Sequence, residues 1–240
     1  MTKTLCLDFG NTRLKAALFE NDEIKQTIIL SDDGVNDLSK ILNDFQPGAS
    51  ILSSVINHNT EIEPLLSATK FHKLSNQSKL PFTIPVGKPE TMGADRLAIA
   101  SAAVHLFPKK NNLAIGLGSC ITYNFINNTH QFLGGSISPG MEMRFKAMNH
   151  FTAKLPLAKG DWNIPLIGYD TVTNLQTGVI LGMAKEIDGI IDEYAKRFGN
   201  FNVLLTGGDI PFFEPHFKNK IFAHPDLIFK GLYAISQLNV

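Results

Sequence analysis

A strand that ends in a glycine turn and continues into a second strand occurs twice in this chain of 240 residues. The first copy spans residues 4–19, with its turn at Gly10-Asn11-Thr12. The second copy spans residues 113–126, with its turn at Gly118-Ser119-Cys120. Because repetition of one supersecondary unit indicates duplication, the sequence predicts two similar halves. This restricts the fold more than any other feature of the chain.

The remaining residues alternate between strand and helix patterns, which is typical of α/β proteins. In the first half the sequence predicts further strands at residues 23–30 and 50–56 and helices at residues 35–45 and 94–107. In the second half it predicts strands at residues 131–137 and 202–206 and helices at residues 140–151, 171–198 and 227–238. Pro108 ends a helix and a polar segment follows it, so we expect two domains, residues 1–112 and 113–240.

One apolar stripe in the second half recurs at helical spacing. Its members are Met141, Phe145, Met148 and Phe151. A stripe of this kind is more typical of a core than of a ligand site, so we expect all four side chains to be buried.

The charge balance excludes one large class of function. The chain carries 22 Lys and Arg against 22 Asp and Glu, and it has no long basic run. Proteins that bind nucleic acids concentrate positive charge, so a nucleic-acid partner is not expected. No apolar segment approaches the roughly 20 residues that span a bilayer, and Asp8 interrupts the N-terminal apolar residues. The sequence therefore predicts a cytoplasmic protein without a membrane segment or signal peptide.

The metal-ligating residues show no ligand spacing. The two cysteines, Cys6 and Cys120, lack a CxxC partner, and the seven histidines include no HExxH pair. A disulfide framework and a zinc site are not expected.

The first glycine turn carries the residues that a polyphosphate requires. Asp8 and Phe9 end the strand, and Gly10, Asn11, Thr12, Arg13, Leu14 and Lys15 follow. Backbone N–H groups, hydroxyls and a lysine bind phosphate oxygens, and a carboxylate holds a hydrated Mg²⁺. A plain hairpin is the alternative, since Gly-Asn is a common turn pair.

Three further glycine segments follow strands, and small residues there let a ligand approach closely. They are Gly118 to Thr122, Gly134 to Gly140, and Thr206-Gly207-Gly208-Asp209. Each taken alone could be a helix-capping loop. The first of them favours a phosphate site, because two facing glycine turns can hold a phosphate chain from both sides. A GxxxxGK[ST] loop and a complete dinucleotide fingerprint do not occur.

Taken together and in order, these motifs resemble those of the type III pantothenate kinases. The motifs are Asp8 to Lys15, Gly93-Ala94-Asp95-Arg96, the second glycine turn, Gly134 to Gly140 and Thr206-Gly207-Gly208. The family belongs to the superfamily of acetate and sugar kinases, heat-shock proteins and actin. The resemblance implies duplicated ribonuclease-H-like domains, each a mixed five-stranded sheet with flanking helices, around an ATP cleft.

The resemblance also implies an activity: ATP-dependent phosphorylation of pantothenate to 4′-phosphopantothenate, the first step of coenzyme A biosynthesis. It further implies Mg²⁺ or another divalent cation with ATP, and a homodimer with a shared active site. Two alternatives stay open. One is a kinase of the same fold for another small hydroxy acid or sugar, and the other is a catalytically weak regulatory or accessory protein.

The resemblance gives roles to individual residues. Asp8 would hold the metal in the first phosphate loop, and Ser119 would contact ATP where the family has a threonine. Gly207 and Gly208 would lie near adenosine. Pantothenate would contact Val86, Gly93, Ala94, Asp95 and Arg96, and Thr171 from the neighbouring subunit. Asp95 would act as the general base, and Arg96 would pair with the substrate carboxylate.

Physical chemistry supports the same two roles in the GxDR segment. A primary alcohol is a weak nucleophile, so a carboxylate that accepts its proton is the expected minimal base. A bidentate arginine suits the carboxylate of an anionic substrate. The alternative is that Asp95 caps the helix that begins nearby and that Arg96 is a surface charge.

The chain departs from the family pattern at two positions. Where the family has an aspartate that ligates potassium or ammonium, this chain has Gly116, so we expect weak dependence on a monovalent cation. Where the family often places a tyrosine against pantothenate, this chain has Val86, which keeps an apolar wall but lacks the phenol donor.

Overall fold

The computed structural model describes residues 2–31, 33–85 and 87–240. Its ten strands are β1 (Lys3–Phe9), β2 (Leu14–Glu20), β3 (Glu23–Ile29), β4 (Ala49–Ser54), β5 (Lys70–Lys73), β6 (Asn112–Leu117), β7 (Cys120–Ile126), β8 (Phe132–Pro139), β9 (Asn202–Gly207) and β10 (Phe222–Ala223). Its seven α-helices are α1 (Val35–Phe45), α2 (Ile62–Leu66), α3 (Ala94–Leu106), α4 (Met141–Phe151), α5 (Thr171–Phe198), α6 (Ile210–Phe213) and α7 (Leu227–Asn239). Short 3₁₀ helices span Pro89–Thr91 and Glu214–His216.

The strands form two five-stranded sheets with the same connectivity. The first has the order β3-β2-β1-β4-β5, and the second has the order β10-β9-β6-β7-β8. In each, the first three strands are antiparallel neighbours, and the fourth and fifth run parallel to the first. The predicted duplicated α/β fold is therefore confirmed. The division into domains at residue 112 stays a prediction.

Helices α3 and α7 lie between the two sheets and share one hydrophobic core with both. This core includes Cys6 and Ile51 of the first sheet and Ala114 and Leu204 of the second. The helices pack closely where α7 carries Gly231, since a Cβ there would lie 1.8 Å from the Ala98 carbonyl oxygen. The remaining cores lie on the outer faces, under α1 and α2 on one sheet and under α5 on the other.

The prediction for the stripe on α4 is right in part. Met141 and Phe145 are buried, and Met148 packs against the same core. Phe151 exposes 81% of its surface, so its predicted burial is wrong. It is the last residue of α4, where the helix has passed the edge of the core.

No helix within the described residues is both long enough and apolar enough to cross a membrane.

Candidate active site

Strands β1 and β6, which are central in their sheets, end at the two glycine turns. In the first turn the Gly10 N–H donates to the Arg13 carbonyl at 3.1 Å, and residues 11–13 are exposed. In the second turn the Gly118 N–H donates to the Cys120 carbonyl at 3.1 Å. The turns meet, because the hydroxyls of Thr12 and Ser119 lie 3.3 Å apart. Residues of the two halves thus form one surface of backbone N–H groups and hydroxyls.

Glycine at position 10 is not needed for the conformation of the first turn. Its φ is not positive, and a Cβ there would only touch the Arg13 carbonyl oxygen at 3.6 Å. A glycine that the backbone does not require is compatible with the close approach of a ligand.

Asp8 is a half-buried residue whose carboxyl lies between a cation and a second carboxyl. It is the register partner of Lys15 across β1 and β2. Burial raises the pKa of Asp8 to about 7; the charge of Lys15 lowers it, and the charge of Asp95 raises it again. Asp95, from the start of α3, is therefore close enough to act on Asp8 through its charge. A desolvated carboxyl beside a second carboxyl favours a bound cation.

Asp95 occupies the second position of α3. The N-cap is Gly93, which has no side chain, so the alternative role of Asp95 as the helix cap is wrong. The Asp95 carboxylate turns back over this glycine, since a Cβ on Gly93 would lie 2.5 Å from Asp95 Oδ1. Gly93 thus gives the carboxylate space at the start of the helix.

Arg96 is half-buried, so the alternative of a surface charge is also wrong. Its Nε donates to Asn124 Oδ1 at 2.8 Å, and its guanidinium lies over the Phe132 ring at 5.6 Å from the centroid. Burial lowers the pKa of Arg96, and the charge of Asp95 opposes this. The guanidinium is therefore held in place beside Asp95.

Asn124, which the sequence analysis did not single out, positions Arg96. It is fully buried on β7, and its amide donates to the Ala114 carbonyl at 3.1 Å and to Thr122 Oγ1 at 3.3 Å. A polar residue within a strand of buried neighbours was the available signal.

Gly116 stands where the resemblance implies a carboxylate that ligates a monovalent cation. Gly116 faces Thr122 across β6 and β7. A Cβ at Gly116 would lie 2.9 Å from Thr122 Oγ1 and 3.1 Å from Ile99 Cδ1. A carboxylate here would have to displace the ends of the Thr122 and Ile99 side chains, and the weak dependence on a monovalent cation stays a prediction.

The third and fourth glycine segments pack against the second glycine turn. Gly140, before α4, donates its N–H to the Ser119 carbonyl at 3.1 Å. Gly207 has a φ of 126°, and a Cβ there would lie 1.9 Å from the Leu117 carbonyl oxygen. Gly208 follows and is exposed. Close packing requires glycine at positions 140 and 207, whereas a Cβ on Gly208 would meet no atom within 4 Å.

Asp209 is the last residue of the fourth glycine segment, and its carboxyl also lies near charged groups of the site. Burial raises its pKa, as does the charge of Glu142, and the charge of Arg13 from the first turn lowers it. Asp209 therefore brings a third carboxyl to the region between the halves.

The structure does not bring Thr171 of the same subunit to this cleft. Thr171 begins α5 and is exposed, beside the Asp170 side chain that caps the helix through the Thr173 N–H at 2.8 Å. Val86 lies outside the described residues.

Sheets of equal connectivity with facing glycine turns define the fold of sugar kinases and actin-like ATPases. A glucokinase from an Antarctic psychrotroph has a TM-score of 0.53 at 11% identity, covering 99% of both chains. A Campylobacter jejuni structure assigned to the Baf family of transcriptional activators has a TM-score of 0.60 at 22% identity, covering 97% of both.

Sequence comparison narrows this class to one family. Residues 4–193 match the model of the type III pantothenate kinases. The type III pantothenate kinase of Cytophaga hutchinsonii is 40% identical over 236 residues, covering 98% of this chain and 99% of its own. That of Flavobacterium johnsoniae is 37% identical over 240 residues, covering 98% of each. The chain belongs to the type III pantothenate kinase family.

Proposed function

We propose that the protein transfers the γ-phosphoryl group of ATP to pantothenate in the cytoplasm, giving 4′-phosphopantothenate, the first step of coenzyme A biosynthesis. Family membership supports the reaction. One structural observation supports this reaction at the site described above. Asp8 and Asp95 lie close together beside the two glycine turns, which meet at Thr12 and Ser119.

ATP binds between the two halves in this proposal. The first phosphate loop, Asp8 to Lys15, and the Ser119 hydroxyl contact the phosphates, while Gly207 and Gly208 lie near adenosine. Asp8 would hold a divalent cation, Mg²⁺ or another, which would neutralise charge on the phosphates of ATP. The desolvated carboxyl of Asp8 fits such a group, because a cation favours its ionised form.

Pantothenate binds at the start of α3. Arg96, held by Asn124, pairs with the substrate carboxylate, and Gly93 and Ala94 allow the substrate to approach the helix. Val86 is proposed to line the same site on the resemblance alone. Asp95 accepts the proton of the primary hydroxyl while the oxygen of that hydroxyl attacks the γ-phosphorus. The bond between that phosphorus and the bridging oxygen breaks, and ADP leaves.

A coupled ADP-release assay with and without pantothenate tests this function. We expect ADP release that depends on pantothenate and is weak with other small hydroxy acids or sugars. Release that prefers another acceptor would favour the alternative kinase. Nucleotide binding without turnover would favour the regulatory protein. The departures from the family pattern at Gly116 and Val86 are the reason to test for it. The likeness to the Campylobacter jejuni structure bears on the fold alone.

Asp95→Asn should lower kcat by roughly 10² to 10⁴, the usual range for a positioned acid or base. ATP affinity should change little, because Asp95 faces the acceptor. Asp22→Asn, an exposed carboxylate in the turn between β2 and β3, is the matched control. Near-normal turnover of the Asp95 variant would remove this residue from the role of base.

We further propose a homodimer in which Thr171 of one subunit contacts pantothenate in the other. An exposed apolar segment precedes Thr171: Trp162, Leu166, Ile167 and Tyr169 each expose more than two thirds of their surface. Exposed apolar surface of this extent marks an interface.

Mixing two inactive variants tests the shared site. Asp95→Asn and Thr171→Val each damage both sites of their own dimer. After exchange, each mixed dimer has one intact site, so about a quarter of wild-type activity should return. No recovery in a mixture whose subunits have exchanged would refute the shared site.

A further inference from the structure

Ser53 on β4 is fully buried, and its hydroxyl has no partner within the described part of the chain. The neighbouring buried serine on the same strand differs in this respect. Ser50 is equally buried, but its hydroxyl lies 2.5 Å from Thr69 Oγ1. Because a buried hydroxyl without a partner is costly, such groups in native proteins are rare and call for an explanation.

The sheet register places Ser53 beside Asp8. The two residues are partners across the parallel strands β1 and β4, as Asp8 and Lys15 are across β1 and β2. Register partners point to the same face of a sheet, and adjacent strands are about 4.8 Å apart. Two positions earlier in each strand, and so on the same face, Cys6 pairs with Ile51. Both of these residues belong to the core shared with α3. Ser53 therefore lies on the α3 face, with Asp8.

We propose that Ser53 is a positioning residue of the phosphoryl-transfer site, whose hydroxyl donates a hydrogen bond to the Asp8 carboxylate when Asp8 holds the nucleotide-bound cation. The inference rests on the role given to Asp8 under the proposed function. Carboxylates that hold metals are oriented by hydrogen-bond donors around them, and loss of such a donor weakens metal affinity. Lys15 flanks Asp8 on one side, and Ser53 supplies a donor on the other.

A purely structural role for Ser53 predicts different behaviour. A structural serine stabilises the ligand-free protein, as Ser50 does through Thr69. A serine that finds its partner in the loaded site adds no stability before the ligand binds. The unfolding temperature of the ligand-free protein and the affinity for the cation therefore separate the two roles.

The test compares Ser53→Ala with Ser50→Ala as the matched control. Manganese affinity is measured by electron paramagnetic resonance in the presence of a non-hydrolysable ATP analogue, and unfolding is followed by calorimetry without ligand. Ser53→Ala should weaken manganese affinity about tenfold and leave the unfolding temperature unchanged or higher. Ser50→Ala should lower the unfolding temperature and keep the manganese affinity. If Ser53→Ala instead kept the manganese affinity and lowered the unfolding temperature, the proposal would be overturned.

A double variant links the effect to Asp8. In an Asp8→Asn background, Ser53→Ala should cause no further loss of manganese affinity, and an additive loss would overturn the proposal. If Asp8→Asn lowers the affinity and Ser53→Ala does not, only the inference about Ser53 fails. If Asp8→Asn itself keeps the full affinity, the role of Asp8 fails, and the inference about Ser53 fails with it.

Discussion

Replacement of Asp8 by asparagine should stabilise the ligand-free protein at pH 8 while abolishing its catalytic activity. Burial raises the pKa of Asp8 from its ordinary 3.8 to about 7. The native carboxyl therefore keeps a proton that the unfolded chain has already released. Between these two pH values the native state binds more protons, so the free energy of unfolding falls as the pH rises, and it levels off above about 7.

The magnitude follows from the same pKa difference. The gap between 3.8 and about 7 corresponds to about 4 kcal/mol when Asp8 is fully ionised. Asparagine avoids this cost but brings an amide N–H₂ group that needs acceptors of its own, so about 2–4 kcal/mol remains. For a chain of this length, that gain raises the unfolding temperature by roughly 4–16 °C.

Calorimetry from pH 4 to pH 8 without nucleotide or divalent cation measures the effect. The difference between Asp8→Asn and wild type should grow from pH 4 to about 7 and then stay constant. Asp22→Asn, an exposed carboxylate, should show no such growth. The reasoning is refuted if Asp8→Asn is less stable than wild type at pH 8, or if the difference does not depend on pH.

Three further predictions concern the neighbourhood of β6 and β7. Replacement of sodium by potassium in the assay should change the rate little, because Gly116 supplies no carboxylate; a large stimulation would contradict this. Gly116→Asp should destabilise the protein by about 1–3 kcal/mol through overlap with Thr122 and Ile99, measured by denaturant unfolding, and unchanged stability would show that the site has room. Asn124→Ala removes the acceptor of Arg96 Nε, so it should raise KM for pantothenate about tenfold with a smaller change in kcat; an unchanged KM would mean that Arg96 needs no such support.

The sequence predicted the elements that carry strong local patterns. The long helix α5 begins and ends at the predicted residues, and the first three strands of each sheet differ from prediction by a residue or two. It missed α2 and β5, which are short and have no clear periodicity. The four residues of β5 become a strand because they pair with β4, and no local pattern records a pairing partner.

The candidate site divides in the same way. The sequence pointed to Asp8 and to both glycine turns, because these residue types suit phosphate chemistry wherever they occur. It left a surface position for Arg96 open as the alternative, and the structure shows a half-buried guanidinium held by Asn124. Asn124 and Ser53 were missed because their importance depends on the strands beside them. The role of a buried polar residue depends on the hydrogen-bond partners that the fold places beside it.

The packing of α7 between the sheets has a consequence for biosynthesis. Its partner α3 emerges from the ribosome first, and the whole second sheet must follow before α7 is made. Until then, α3 lacks the helix against which it packs at Ala98 and Gly231. The nascent first half therefore presents apolar surface during translation, and the native core closes only after α7 has been made.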